Sequence, residues 1–476
     1  MIMNKILKFK ILLALLAAIV GCAVGPDYQR PAAPVPAVYK ELAGWREALP
    51  RDQEIRVNWW EAFGSQELNA LVEQVNVSNQ SIALAESQYR QAQAAVQLAR
   101  AGYFPTLGAG AAFTRQKTAG DPGSTFNQHQ VSLNASWEID LWGKVRRRVE
   151  SSTASAEASF ADLQAMRLSM QTELALDYFQ LRTLDAQKKN FNEAVLAYER
   201  ALELTQNRYR AGVAAKADVE AATTQLKSTE AQATDVGIQR AQLEHAIALL
   251  IGKAPADFSL LPATPALPQI QIPVTLPSDL LERRPDIAAA ERAMAAANAQ
   301  IGVAKAAYYP SISLSGSIGY ASAALASLFT APAFFWALGP MAVTATIFDG
   351  GARRAQTEQA RAAYDGAVAS YRQTVLTGFQ EVEDNLAALG ILEREAQHQD
   401  QAVASARESV RLTTNQYKAG IVSYLNVVTA QTIALTNERA AISITGQQLK
   451  AAVLLIKALG GGWVASERQD NQNKIQ

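Results

Sequence analysis

Few residues of this chain could do chemistry, and their spacing supports no catalysis. The imidazoles His129, His245 and His398 are scattered and lack the spacing of metal ligands. There is no Gly-x-Ser-x-Gly elbow and no phosphate-cradling glycine loop. The reading therefore contains no enzyme activity, no cofactor and no metal. Two positions stand out for other reasons. Cys22 is the only cysteine, and it ends an apolar run from Ile11 to Val20 that follows the basic patch Lys5, Lys8 and Lys10. That run is too short to span a bilayer as a helix. Asp218 lies shortly beyond the glycine turn Arg210-Ala211-Gly212-Val213, in the first turn of the next helix, where the helix dipole stabilises its charge.

Ile19-Val20-Gly21-Cys22 resembles the lipobox of bacterial lipoproteins, in which the signal is cut before the cysteine and the thiol is acylated. The expectation is a signal peptide over 1–21 and lipid attachment at Cys22. Ala23 follows, where an aspartate would suggest inner-membrane retention, so the resemblance favours the outer membrane. Removing the three lysines of the signal leaves 41 basic against 44 acidic residues. That near balance gives no footprint for nucleic acid. One cysteine allows no intrachain disulfide.

The elements that must position these residues follow from an internal repeat. Asn207-Arg208-Tyr209-Arg210-Ala211-Gly212-Val213 recurs as Asn415-Gln416-Tyr417-Lys418-Ala419-Gly420-Ile421, and Glu173 with Glu381 and Gly252 with Gly460 keep the same offset. Tyr103-Phe104-Pro105 matches Tyr308-Tyr309-Pro310 at a slightly shorter offset, so a small indel lies between. Each unit reads helix, strand, strand, long helix, helix. Leu68 to Ala101 is expected as one helix. Strands are expected near 105–116 and 128–140 and within a second hairpin at about 310–348. In 130–139, Val131, Leu133, Ala135, Trp137 and Ile139 alternate with Gln130, Ser132, Asn134, Ser136 and Glu138. Ile312, Leu314, Ile318 and Tyr320, and then Met341, Val343, Ala345 and Ile347, alternate in the same way. The apolar stretch Ala323 to Leu338 is read as a loop between two strands. Between Pro122 and Pro255, and after Pro340, no proline interrupts the long helices. The stretch 143–210 is about 100 Å long if helical throughout.

Strands of this length with one apolar and one small-polar face have the dimensions of membrane-crossing β-strands. An open sheet edge cannot stand in a bilayer, and closed barrels need about eight or more strands. Four strands per chain therefore imply several copies sharing one barrel. Trp137, Phe104, Tyr309 and Tyr320 near strand ends would suit an aromatic girdle. Arg146, Arg147 and Arg148 would mark the boundary of the membrane. The domain plan is a lipid-anchored tether and collar segment over 22–64, a first repeat over 65–254, a proline-rich crossover over 255–278, a second repeat over 279–462 and a tail over 463–476.

At this point the chain resembles a known family, the TolC-like outer-membrane factors of tripartite efflux pumps, in particular the lipoprotein branch typified by OprM. The resemblance rests on the lipobox, Trp59-Trp60-Glu61-Ala62-Phe63-Gly64, Ile139-Asp140-Leu141-Trp142-Gly143, Glu282-Arg283-Arg284-Pro285-Asp286-Ile287, Tyr308-Tyr309-Pro310-Ser311-Ile312, and Tyr417-Lys418-Ala419-Gly420 with Tyr424-Leu425. It implies a mainly α fold with a β membrane part. A homotrimer would have a shared twelve-stranded transmembrane β-barrel continuous with an α-helical periplasmic barrel and an equatorial collar. It also implies a passive exit duct for small molecules such as drugs, working with a periplasmic adaptor and an inner-membrane pump of the proton-driven kind.

The resemblance places the aperture at the paired helix turns. Gly212, Val213, Gly420 and Ile421 are the expected adaptor-contact tips. Asp218, Tyr209, Tyr417, Asn426 and Thr429 are the expected aperture residues. Some relatives carry two aspartates one turn apart where this chain has Asn426 and Thr429, which removes a double acidic ring. Two readings stand for Asp218, an acidic ring in the pore or a helix first-turn residue held by the dipole. Tyr209 and Tyr417 could lock a closed state by packing or by hydroxyl bonds. Arg283 and Arg284 are expected in structural ion pairs, with Asp286 as a partner. The rival functions are a duct for secreted proteins and a non-channel periplasmic structural lipoprotein.

Overall fold

The computed structural model describes residues 23–33, 35–36, 39–42, 58–117, 119, 125–263 and 283–461. Cys22 and the signal segment, Glu282, most of the crossover and the tail lie outside the described residues. The elements are α1 (Gln66–Ser78), α2 (Gln80–Ala101), β1 (Thr106–Lys117), β2 (Thr125–Ile139), α3 (Lys144–Arg210), α4 (Lys216–Leu250), α5 (Pro285–Ala306), β3 (Ser311–Ser322), β4 (Phe334–Thr344), α6 (Ala352–Lys418) and α7 (Tyr424–Ala458). Among the described residues no helix is long and apolar enough to cross a membrane.

The duplication is present residue for residue. α3 and α6 are 67 residues each, and α4 and α7 are 35 each. The starts and ends of both pairs are offset as Gly252 is from Gly460. The pairs α2 with α5 and β1 with β3 keep instead the shorter offset of Tyr103 and Tyr308. The indel therefore sits between the last strand and the long helix, where Asp140 to Gly143 correspond to the longer run Ala345 to Gly351.

Two expectations are corrected. Leu68 to Ala101 is two helices, because Asn79 leaves the helical region (φ −69°, ψ 125°) and caps α2 by accepting from the backbone N–H of Ser81 and Ile82. The fourth strand starts at Phe334, and the loop ends before it. Phe334, Phe335, Trp336, Ala337 and Leu338 pair with Tyr320, Gly319, Ile318, Ser317 and Gly316. A register shift follows at Leu314/Gly316, opposite Gly339 and Pro340, where proline has no N–H for the ladder. Ala345 and Ile347, read as strand residues, lie in the lengthened connection instead.

The chain divides into two compact units. The first comprises 1–32, 87–160 and 289–373 and contains the antiparallel sheet β1-β2-β3-β4. Register aligns one apolar face across all four strands. Leu107, Ala109 and Ala111 stand opposite Ala135, Leu133 and Val131, which face Gly316, Ile318 and Tyr320, which in turn face Leu338, Trp336 and Phe334. Leu107, Leu133, Trp336, Leu338, Met341 and Val343 on this sheet are exposed. The opposite face carries Gly108, Gly110, Ser132, Asn134, Ser317 and Gly319. Both edges, β1 and β4, are unpaired among the described residues.

The residues after Cys22 are strapped onto this unit. Val24 N–H donates to the Trp142 carbonyl (3.0 Å). Arg147, expected as a boundary charge, is buried and pairs with Asp27 (2.7 Å) and Glu150 (2.8 Å). Tyr28 donates its hydroxyl to Glu291 (2.6 Å), and Asn298 donates to the Pro26 carbonyl (3.0 Å). The strap needs a bare backbone beneath it, since a Cβ on Gly302 would stand 2.7 Å from Arg147 Cγ and 2.9 Å from the Val24 carbonyl oxygen.

The second unit comprises 33–86, 161–288 and 374–476. Trp59, Trp60 and Phe63 are buried, and the Phe63 ring lies 4.9 Å from that of Phe179. A buried charge network crosses beneath them. Arg182 pairs with Glu67 and with Asp185 (2.7 Å), and Asp185 also accepts from Arg240 (2.7 Å) and from Ala263 N–H (3.1 Å). Arg182 and Arg240 donate to the carbonyls of Leu261 (2.8 Å) and Leu260 (2.5 Å), which fixes the start of the crossover.

Candidate functional site

The two helix turns of the second unit are built alike. Gly212 and Gly420 both adopt left-handed backbone, φ 74° and 78°. The amide of Val213 returns to the Arg208 carbonyl (2.8 Å), and that of Ile421 to the Gln416 carbonyl (2.9 Å). These are bonds of the Schellman type, which satisfy the last carbonyls of α3 and α6. With nothing near either glycine's missing Cβ, the turns owe their glycines to conformation alone. Val213, Ile421 and Leu425 expose most of their apolar surface, and Gly212 and Gly420 are exposed with them.

Behind the turns the two repeats differ. Tyr417 (4% exposed) and Tyr424 (1% exposed) pack edge to face at 5.2 Å, against Ala222 and Val427. Arg208 lies over the Tyr417 ring at 4.8 Å and donates to the Lys418 carbonyl (2.9 Å), joining the first turn to the second. Neither tyrosine hydroxyl has a hydrogen-bond partner among the described residues. Burial and the nearby Tyr417, Tyr198 and Asp218 push the Tyr424 hydroxyl up to about 12, so it stays protonated. Tyr209, the repeat counterpart of Tyr417, is 45% exposed. Of the two tyrosines expected at the turns, only Tyr417 joins a core.

Asp218 is half-buried in the first turn of α4 and accepts from the Ala215 backbone N–H at 3.3 Å. This contact belongs to the helix-end reading. Asn426 and Thr429 are exposed on α7, and Thr429 donates to the Leu425 carbonyl (2.9 Å). Arg208 and Tyr424 were missed in the sequence. The counterpart of Tyr424 is Lys216 and that of Arg208 is Gln416, so the repeat carries no hint of either. Arg284 behaves as expected, pairing with Asp286 (2.7 Å) and also with Glu381 (2.6 Å).

Comparison with known proteins places this geometry in context. A family described as outer membrane efflux protein matches residues 71–253 and 276–461, one stretch for each repeat. The chain is 32% identical over 461 residues to the antibiotic efflux pump outer membrane protein ArpC of Pseudomonas putida, covering 95% of each. It is 32% identical over 451 residues to the outer membrane protein OprJ of Pseudomonas aeruginosa, covering 93% of each. Among solved structures, the outer-membrane channel OprN superposes with a TM-score of 0.87 at 30% identity, over 93% of this chain and all of that one.

Proposed function

Since the chain belongs to the outer membrane efflux protein family, we propose that three copies of it assemble into one duct that passes small molecules, such as drugs, across the periplasm and outer membrane. As a member of the family it is an efflux channel of the outer membrane and not an enzyme. The observation that carries the assembled duct is the sheet, which joins an exposed apolar face, a small-polar face and two open edges in four strands. In a bilayer those edges must be paired, and one chain is too short of strands to pair its own. Three copies supply twelve. Acylation of Cys22 adds a lipid anchor, and the strap from Ala23 onward ties it to the sheet-bearing unit. The name of the relative ArpC, an antibiotic efflux pump protein, favours small-molecule cargo over secreted protein.

In this reading the turns at Gly212 and Gly420 are the periplasmic tips. Exposed Val213 and Ile421 meet a periplasmic adaptor, which connects the duct to a proton-driven inner-membrane pump. Asp218, Tyr209, Tyr417, Asn426 and Thr429 surround the aperture. One Asp218 per copy puts three carboxylates at the constriction, enough to prefer cations.

Single-channel conductance of the purified chain in planar bilayers tests this. The expected result is a trimer with low, cation-preferring conductance whose preference falls in Asp218→Ala. A folded protein that stays monomeric and never inserts overturns the shared barrel and returns the periplasmic spacer.

A further inference from the structure

The two repeats diverge around one cleft in the second unit. In the second repeat, buried Arg284 donates to the Ala458 carbonyl (3.2 Å) and also holds Glu381. Its counterpart in the first repeat is Asn79, which reaches the equivalent carbonyl, that of Leu250 (2.8 Å), and extends no further. Glu173, the counterpart of Glu381, is thereby left without an arginine among the described residues. One turn on, Asp177 stands where the second repeat has Asn385, which donates to the Glu381 carbonyl (2.6 Å). On the facing helix Lys450 and Lys457 replace Gln242 and Leu249 of the first repeat.

These substitutions converge on one space. A cleft of about 530 Å³ between α3 and α7 is lined by Glu173, Asp177 and Gln180 on one wall and by Lys450, Leu454 and Lys457 on the other. Two carboxylates face two ammonium groups, yet none of the four forms an ion pair among the described residues. The cleft also has a direction. Gln171, Tyr178 and Arg182 turn to Trp59, Ser65 and Glu67. At about 100° per residue, Glu173, Asp177 and Gln180 stand roughly 180° around α3 from them. The charges thus open on the face of α3 turned away from the Trp59–Phe63 packing, where unpaired charge requires water.

We infer that Glu173, Asp177, Lys450 and Lys457 form a charge station in the duct wall whose net charge, and with it the preference between anionic and cationic solutes, changes with the acidity of the periplasm. The inference rests on the duct reading, in which the water on that face is the water of the passage. Burial and the neighbouring Glu173 carboxylate raise the Asp177 carboxyl to about 6. Near pH 7.5 the four charges balance. As pH falls to 5, Asp177 takes up a proton and the lysines leave the cleft net positive. The station is then neutral toward both signs at neutral pH and favours anions in acid.

Local thiol chemistry reads this without requiring an open channel. The full chain carrying Cys22→Ser and Gln180→Cys is treated with a cationic and an anionic methanethiosulfonate of similar size. The ratio of the two rates cancels the thiol's own ionisation. From pH 7.5 to 5.0 the cationic-to-anionic ratio is expected to fall about fivefold, as for one unit charge roughly 8 Å away in water. Adding Asp177→Asn should set the ratio at its acid value at both pH values. Adding Lys450→Gln with Lys457→Gln should raise it at both. A ratio that ignores pH with Asp177 present, or a thiol that neither reagent reaches, overturns the station. The duct reading fails separately, through a protein that never inserts or conducts while the rate ratios behave as stated.

Discussion

Replacing Tyr424 with alanine is expected to turn a nearly closed channel into a frequently open one. Tyr424 is 1% exposed in the small core behind the turns, and its ring is held by Tyr417, Val427 and Ala222. Truncating a buried aromatic costs about 3–5 kcal/mol where the site cannot collapse. If even about 3 kcal/mol of that belongs to the closed packing alone, the open-to-closed ratio rises by about two orders of magnitude. The phenylalanine variant distinguishes packing from a hydroxyl lock. Because the Tyr424 and Tyr417 hydroxyls are buried without partners among the described residues, Tyr424→Phe removes an unmet polar group and should hold the closed state as well as the wild type or better. Open probability in planar bilayers decides between them. A Tyr424→Phe channel as leaky as Tyr424→Ala would mean that a hydroxyl bond, and not ring packing, closes the tip.

The largest expected effect on stability lies at Arg182. Its guanidinium is 1% exposed, and it pairs with Asp185, which is 2% exposed. Arg182→Ala leaves that carboxylate with Arg240 and the Ala263 N–H, Arg240 being the one remaining positive charge, and removes the donor to the Leu261 carbonyl. Breaking a buried pair by deleting one partner costs about 3–5 kcal/mol, because the remaining charge has lost its water and half its compensation. The contact to Glu67, which is well exposed, adds little beyond this. Denaturant unfolding of the purified variant should show a loss of that size. A loss below about 1 kcal/mol would mean that water enters and replaces the guanidinium.

Much of this architecture was legible in the sequence because the chain states it twice. The repeated Tyr-x-Ala-Gly turns located both helix turns, and period-two alternation found β2 and β3 within a few residues. The fourth strand was missed at its start because Phe334, Phe335 and Trp336 are apolar on both faces, so alternation vanishes where aromatic strand formers are densest. The break at Asn79 had a signal, a Ser-Asn pair suited to an N-cap, which the apolar stripe on either side concealed. Arg182 was illegible for a different reason. A lone arginine in a polar helix reads as solvent-exposed until the chain folds Glu67, Asp185 and the Leu261 carbonyl around it. At the tips the same limit applied. Tyr417 was found through its duplicate, whereas Arg208 and Tyr424 act across the two repeats and have no counterparts of the same type. The acid pair at Glu173 and Asp177 was visible only as one repeated glutamate, and its meaning came from what Arg284 does in the other half.

The account depends most on the sheet edges being closed by other copies of the chain. In Cys22→Ser chains bearing one cysteine on β1 and one on β4, a disulfide within a single chain is geometrically barred. Two strands intervene, so the edges are about 14 Å apart, against a disulfide limit of about 7 Å between Cα atoms. A scan of such pairs on one face, for example Ala109→Cys with Val343→Cys and its same-face neighbours in register, followed by oxidation in outer membranes and denaturing electrophoresis, measures closure directly. The account predicts that one register gives dimers and then a ring that stops at three. Cysteines that stay free in every register, or ladders that run past three without closing, would contradict it.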